Sequence, residues 1–533
     1  MSDETPKIRA VAASSGAGPK ANIPDISDSS NIVSERVSPF VFKRILTRFD
    51  LIALTTALIY YVANSSGLVS FGPYIIGLAV ISMLTWYVPS GLATAELGLM
   101  FPAEGGIYNW ASKGLGRFFG FFAGWLNWIA IFSGAFFVPN AAITMLYSAL
   151  NIPPNPDVIL AGTIGFEWIA AIIAMQRLRV AQNFVNVVFI LYFILSLGLL
   201  GGGIWWASSH GLPAGTTLSM QSIFGIPGNI FVWGFGFAFL IEALIGFDTP
   251  LNMGAEIQTP RKTILQSISI SLVLTIVLYI ITILGLFLIL PYATVNSITG
   301  VVDAIRVLSP LVAGIAGIIL MFYYLSNATF AQYMWSRLVV VSGIDKYFPS
   351  AFGYVNKRTR APIVAIAIQA IGGNLFAIWA LENVSGGTGF LAGVALISVF
   401  WIGSYIFLFL SAISIRYGKR WKNVQRPFKT PAAWFVYPLG LITSVLAVIT
   451  AFFVPNPSIP VGTWLITIGV PTAAGIIIGV LIYLLRKDKA EHLNVDKEIE
   501  RYAKELGLDT AEVKSESGRD SSAMTQTDSR PVT

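Results

Sequence analysis

Two carboxylates, a glycine and a proline interrupt a strongly apolar stretch at residues 228–254: Glu242, Gly246, Asp248 and Pro250. As one straight helix this stretch would measure roughly 40 Å, against a hydrocarbon thickness of about 30 Å, so it has length to spare for a break. A carboxylate at the centre of a lipid-facing helix costs about 2.5–3.5 kcal/mol on insertion scales. Two of them beside a Gly and a Pro therefore require a polar surround. The run Gly246-Phe247-Asp248-Thr249-Pro250 also reads as a helix start. Asp248 or Thr249 can act as N-cap, and Pro250 suits a first helical position, where its missing N–H is not needed. A helix that restarts in mid-membrane presents unpaired N–H groups and a positive dipole end to whatever lies beside it. Membrane transporters build sites for small charged solutes in this way. The competing reading is a continuous helix, kinked at Pro250, whose acids face neighbouring helices.

Other polar residues fall inside apolar spans. Tyr323 and Asn327 are four residues apart and share one helix face. They either line a site or satisfy each other between helices. Glu96 ends a span just before Pro102, Gly105 and Gly106, which force a tight re-entry; we read it as a structural partner for a loop cation. Glu167 stands in the middle of a fourth span, away from the expected site. We read it as structural, partnered by a hydroxyl or an amide. In the first span, Leu54 to Tyr61 contains no Gly, but Thr55 and Thr56 could bond carbonyls freed by a break.

These residues have to be positioned by membrane helices. Of the 533 residues, 55% are hydrophobic and 11% charged, against about 25% charged in soluble domains. About twelve spans follow from the apolar runs, near 50–68, 72–100, 117–149, 158–175, 183–207, 228–254, 264–290, 309–341, 361–381, 389–416, 433–454 and 462–486. Alternate loops carry Lys113 and Arg117, then Arg177 and Arg179, Arg261 and Lys262, a cluster from Lys346 to Arg360, and another from Arg416 to Lys429. The opposite loops Asn151–Asp157, Ser208–Met220, Leu381–Thr388 and Pro455–Val461 hold no Lys or Arg, and the loop after Leu290 holds only Arg306. The positive-inside rule then places both termini in the cytoplasm.

The domain plan is a mostly disordered N-terminal tail over 1–49, a transmembrane domain over 50–486 and a C-terminal tail over 487–533. The C-terminal tail includes a short, mostly charged helix with Leu493, Ile499, Tyr502 and Leu506 as its apolar positions. The polar N-terminus reads as lacking a cleavable signal peptide. There is no Cys, and the two His residues, His210 and His492, fall in loops or tails. That argues against thiolate or His-based metal sites, against Cys or His catalysis, and so against a membrane-embedded enzyme. The formal charge of +7 lies in the loops and is no nucleic-acid signal.

Three stretches together carry a resemblance: AELGLMFPAEGG, GFDTPLNMGAEIQTPRK and SRLVVVSGIDKYFPSAFGYVNKRTRAP. In that order and spacing they resemble the signatures of the amino acid–polyamine–organocation transporter superfamily, over roughly residues 45–490. The stretch from Leu54, with AELG and FPAEGGIYNW after it, is somewhat similar to the glutamate/GABA-antiporter branch. The resemblance implies an all-α fold with a five-plus-five inverted repeat, two added spans, and broken spans 1 and 6 that hold the substrate. Carried over, it puts the unwound part of span 6 at about Phe239 to Gly246, with Phe239, Glu242, Ala243 and Gly246 facing substrate. In span 1 the corresponding candidates are Thr55, Thr56, Ala57 and Tyr60. This chain departs from relatives in having Glu242, where many have an aromatic or small residue, and in lacking the Gly-rich break of span 1. Some proton-coupled relatives use a Lys in span 5; none lies between Asn183 and Ala207 here.

The expectation is a secondary transporter in the cell membrane for amino acids or related amines. Tyr323 and Asn327 are further candidates for the site, and Glu242 and Asp248 for coupling to a proton or to an exchanged substrate. The alternative cargo is a polyamine or another organic cation. No cofactor or metal is expected, and the partners are the small-molecule substrate and the lipid bilayer.

Overall fold

The computed structural model describes residues 33–507 apart from 177, 227, 384–385, 423 and 425. Most of the N-terminal tail expected to be disordered lies outside these residues, as do residues 508–533 of the C-terminal tail and Arg177. The part of the N-terminal tail that is described begins as a helix, Val33–Val41.

The described residues form helices and turns, with no β-strand and two isolated bridges. Eleven of the helices are long and apolar enough to cross a membrane. They match eleven of the predicted spans, and we number the crossings accordingly. The first is Arg48–Val69, the second Tyr74–Met100, the third Arg117–Ala149, the fourth Pro156–Ala174 and the fifth Gln182–His210. The seventh to twelfth are Lys262–Ile289, Pro310–Ile344, Ile363–Ala380, Thr388–Tyr417, Ala433–Thr450 and Val461–Glu491. In the place of the sixth stands a 14-residue helix, Ile230–Ala243. At 1.5 Å per residue it covers about 21 Å, too little to span the bilayer alone.

Local chemistry starts these helices where the site needs them. Thr47 and Asp50 form a reciprocal capping box at the entry to the first crossing. Asp50 also receives Arg179 at 3.2 Å and Asn186 at 2.9 Å, which ties that entry to the fifth crossing. Ser309 caps the eighth crossing, with Pro310 at its first turn. The third and eighth crossings lie against each other through the centre of the molecule. Arg306, the lone cation of its loop, pairs with Asp303 at 2.8 Å and with Ser148 Oγ at 2.9 Å. Its charge is thereby neutralised locally, which explains the exception to the loop-charge pattern.

The two ends of the described chain meet on the face that carries Lys113 and Lys346, which pair with Glu35 and Glu498. The N-terminal helix packs on a C-terminal helix, Val495–Leu506. The latter buries Ile499, Tyr502 and Leu506, three of the four apolar positions that the sequence marked. Lys346 pairs with Glu498 at 3.0 Å, and Tyr502 donates to the Gly353 carbonyl at 2.9 Å. Beside them Asp345 accepts from Ser34 N–H and Ser34 Oγ, both at 2.9 Å, and from Tyr108 Oη at 2.7 Å. Burial pushes the Asp345 carboxyl up to about 6, against the pull of those three donors and with a smaller push from Glu35.

A carboxyl held above its unfolded value favours the folded state when protonated. Its contribution to stability is therefore fully present below about pH 4 and is lost as pH rises through about 6, about 3 kcal/mol in all. The melting temperature in detergent is expected to be higher at pH 5 than at pH 7.5, and Asp345→Asn should shrink that difference. A melting temperature that is equal or lower at pH 5 would contradict this.

Candidate functional site

The first crossing is two helices, Arg48–Ile59 and Val62–Val69, joined by Tyr60 and Tyr61 in extended conformation. Tyrosines from the seventh and eighth crossings take up the backbone groups that the gap releases. Tyr323 Oη reaches the Ala57 carbonyl at 2.8 Å and also bonds the Tyr60 carbonyl, while Asn327 Nδ2 donates to Ala57 O at 2.7 Å. Tyr279 Oη lies 3.0 Å from Ile59 O and 2.9 Å from Ala243 O, within reach of both broken crossings. The N–H of Tyr61 donates to Tyr279 Oη at 3.3 Å and that of Ala63 to Tyr324 Oη at 3.1 Å. Backbone in a membrane interior must find partners within the protein. Here hydroxyls supply them, so no glycine is needed for the break.

The sixth crossing does come apart. Its helix ends at Ala243, and Leu244 to Asp248 run irregularly through Gly246 at φ +140°. A Cβ at Gly246 would stand 2.9 Å from Ile59 Cγ1, so glycine is required both by its torsion and by the close approach of the first crossing. Two differences from expectation follow. The gap opens at Leu244, so Phe239 and Glu242 remain helical. Beyond Asp248 the chain continues as short 3-10 turns, Thr249–Asn252 and Gly254–Glu256, in place of a second α-helix. The reason lies in close packing: a Cβ at Gly254 would meet the Ala103 carbonyl at 2.5 Å, and Gly105 N–H donates to Asn252 O at 2.9 Å.

The two gaps flank a cavity of about 50 Å³. Glu242 and Asn64 line it, and Asn64 Nδ2 donates to Glu242 Oε2 at 3.1 Å. Glu167, Asn327 and Gln332 line it as well, and Gln332 Nε2 donates to Glu167 Oε1. The remaining wall is aliphatic or aromatic, including Tyr61, Phe137, Trp335 and Trp401. Among the described lining residues none is Lys, Arg or His.

Of the residues proposed for the site from the sequence, Glu242 and Asn327 are in this wall, together with Glu167, which was read as structural. The others surround it. Tyr323, Ala57 and Ala243 belong to the hydrogen bonds that hold the two gaps, and Gly246 supplies the turn. Tyr60 directs its hydroxyl to Thr282, away from the cavity wall. Thr55 Oγ1 bonds back to Leu51 O at 2.7 Å, and Thr56 is fully buried on the same helix. Phe239 packs in an aromatic cluster with Phe71 and Phe390, at ring separations of 6.2 and 6.3 Å. Asp248 sits in a separate buried network, 2.6 Å from Tyr405 Oη and 2.7 Å from Asn127 Nδ2. Trp401 Nε1 reaches Asp248 Oδ1 at 3.3 Å, and Trp335 Nε1 reaches Asn127 Oδ1 at 2.9 Å. Both indoles line the cavity, so one layer of side chains separates it from Asp248.

Residues 46–481 match the family described as amino acid permease. The chain belongs to that family. It is thus a permease of the amino acid–polyamine–organocation superfamily, as its three motifs implied. It is similar to the uncharacterized transporter lpg1691 of Legionella pneumophila, with 21% identity over 79% of this chain and 91% of the other. The glutamate/serine transporter AimA of Bacillus subtilis is 25% identical over 72% of this chain and 71% of its own. The probable agmatine/putrescine antiporter AguD of Lactococcus lactis is 24% identical over 43% of this chain, which spans about half of AguD, 48%.

The permease brings its three motifs to one point on the basic face. Arg337 is fully buried there, 3.2 Å from Glu104 Oε1 and 2.6 Å from Glu256 Oε1. Its guanidinium also lies over the rings of Phe42 and Tyr333, at 4.2 and 4.3 Å. Glu96, from the first motif, serves a separate joint: it accepts from Arg416 and Arg426, both at 3.0 Å, and from Tyr437 at 2.8 Å. That is the structural role read for it. Asn64, Gln332 and the cavity position of Glu167 escaped sequence reasoning. An acid in the middle of a 19-residue apolar helix, away from the acid of its first turn, was the available signal for Glu167.

Proposed function

We propose that this permease is a secondary transporter that moves amino acids or related amines across the cell membrane by alternating access. One observation carries the reading: the first and sixth crossings are both interrupted beside a single buried cavity, with Glu242 in its wall. A cargo ammonium would meet Glu242 and the amide carbonyls near it, and a carboxylate would meet backbone N–H groups at the gaps. Spans 1–5 and 6–10 form the two inverted halves, one bundle rocks against the rest, and both termini face the cytoplasm. Glu242 and Asp248 are the proposed sites for an exchanged proton. Transport, with no covalent chemistry on the cargo, is the whole activity.

A second reading, an organic-cation or polyamine carrier, is favoured by one feature. The cavity pairs two carboxylates with no lining Lys, Arg or His among the described residues. Similar chains carry both kinds of name, AimA for glutamate and serine and AguD for agmatine and putrescine. Uptake of labelled putrescine, serine and glutamate into proteoliposomes of the purified chain separates the readings. Saturable, cross-competed uptake of at least one of them is expected. Flux that does not saturate would point to a channel, and an absence of flux for every amine and amino acid offered would end the proposal.

A further inference from the structure

We propose that Glu167 is a second anionic pole of the cavity, so that the permease selects an unbranched α,ω-diamine over a monoamine or a zwitterionic amino acid. This rests on the transport reading above and deepens it.

The geometry repeats itself at two places in one wall. At the first, the Glu242 carboxylate accepts from the side-chain amide of Asn64 at 3.1 Å, and Asn64 Oδ1 is buried with no hydrogen-bond partner. At the second, the Glu167 carboxylate accepts from the side-chain amide of Gln332, and Gln332 Oε1 is likewise buried without a partner. An ionised carboxylate only accepts, so in each pair the amide must turn its NH₂ to the acid and its carbonyl away. Glu167 Oε2 is unpartnered too, on a residue that is 1% exposed. Buried polar atoms are rarely left unsatisfied in folded proteins. Here three such acceptors belong to residues that line the same cavity.

An ammonium group supplies three donors and a positive charge. One ammonium at each pole would satisfy a carboxylate and an amide carbonyl together. A dication also balances two carboxylates. A zwitterion would bring a carboxylate to a wall without a lining cation among the described residues, and a monoamine would leave one pole unmatched. Burying a charge without a partner is costly. The intervening apolar residues, such as Ile131, Val138, Ala328 and Ala331, suit a methylene chain. At about 50 Å³, and with about 10–15 Å³ needed per water-sized group, the cavity holds about three to five such groups, so it must widen to take the six heavy atoms of 1,4-diaminobutane.

The experiment uses the full chain in proteoliposomes and compares kcat/KM for 1,4-diaminobutane with that for butylamine and for serine. Wild type is expected to prefer the diamine. Glu167→Gln should lower the diamine-to-monoamine ratio at least tenfold. Glu167→Asp keeps the charge but withdraws it by one methylene, and should move the preference from 1,4-diaminobutane towards 1,5-diaminopentane. A purely structural Glu167 would change neither ratio. Equal losses for all substrates in Glu167→Gln, or an unshifted chain-length preference in Glu167→Asp, would overturn the proposal, and the second readout stands if the first variant does not fold. Wild-type uptake of serine without diamine would overturn it while leaving the transport reading intact. No uptake of any of the three would overturn it as well, and the transport reading would then rest on the glutamate assay above.

Discussion

Glu242→Gln is expected to lower kcat/KM for a cationic amine at least thirtyfold. The side chain is 6% exposed, held by Asn64, and faces a cavity without a lining Lys, Arg or His among the described residues. An ammonium entering that cavity leaves its hydration behind and depends on the carboxylate for compensation. Removing one partner of a desolvated charge pair typically costs about 2–5 kcal/mol. At about 1.4 kcal/mol per tenfold, the lower end is already about thirtyfold. Glutamine keeps the shape and one acceptor oxygen, so folding should be largely preserved and the loss should appear in transport. The assay is initial uptake into proteoliposomes across a range of pH. An unchanged rate with an unchanged pH profile would take Glu242 out of the mechanism.

The second large effect is on stability. Arg337→Met should leave little folded protein. Arg337 is wholly buried between Glu104 and Glu256 and stacked between two aromatic rings. Burial pushes the Glu104 carboxyl well up, the nearby Glu256 adds to that, and Arg337 pulls it back. Without the guanidinium two acids share a closed site with nothing to balance them. Breaking a buried ion pair from one side costs about 3–5 kcal/mol, a large share of the 5–15 kcal/mol that holds a typical domain together. Lysine should rescue poorly, because it lacks the planar fork that reaches both acids and lies flat on the rings. Adding Glu104→Gln and Glu256→Gln to Arg337→Met should recover part of the loss. Melting temperature and monodisperse yield in detergent report all of these. A single Arg337→Met variant that melts like wild type would show that the cluster contributes little.

The two predictions concern different layers of the molecule, and the layers differ in how far they could be read in advance. The crossings were legible because a bilayer imposes length and apolarity on each segment separately. The break in the sixth crossing was legible because Gly246 and Pro250 act locally on their own backbone. The break in the first crossing fell at Tyr60–Tyr61, past the threonines that drew attention. Its partners, Tyr279, Tyr323 and Tyr324, come from crossings more than two hundred residues away, and such a contact leaves no mark on a short window of sequence. The continuation beyond Asp248 was expected as α-helix from its cap and proline. It is wound as 3-10 turns because the Ala103–Gly106 segment presses on Gly254, again a tertiary cause.

The side-chain layer was the least legible. Glu242 was found because an acid beside a helix break is costly unless it is used. Glu167 was just as costly and was set aside for lying in the fourth crossing. Only the packing of that crossing against the third and eighth turns it into the same wall. Asp248 stood out for the same reason as Glu242, yet it faces Tyr405 and Asn127 across a layer of indole. Charge and position in sequence pick out intramembrane acids. They do not say which of those acids share a cavity.

The central claim is that the cavity between the two broken crossings opens in turn to each side of the membrane and holds the cargo. The chain contains no cysteine, so a single Ala328→Cys substitution in the cavity wall gives one thiol to follow. A membrane-impermeant thiol reagent, applied separately to each face of oriented vesicles, should label it from both, and the transported amine should slow labelling from either side. Labelling confined to one face, or indifferent to every substrate that is transported, would contradict the account.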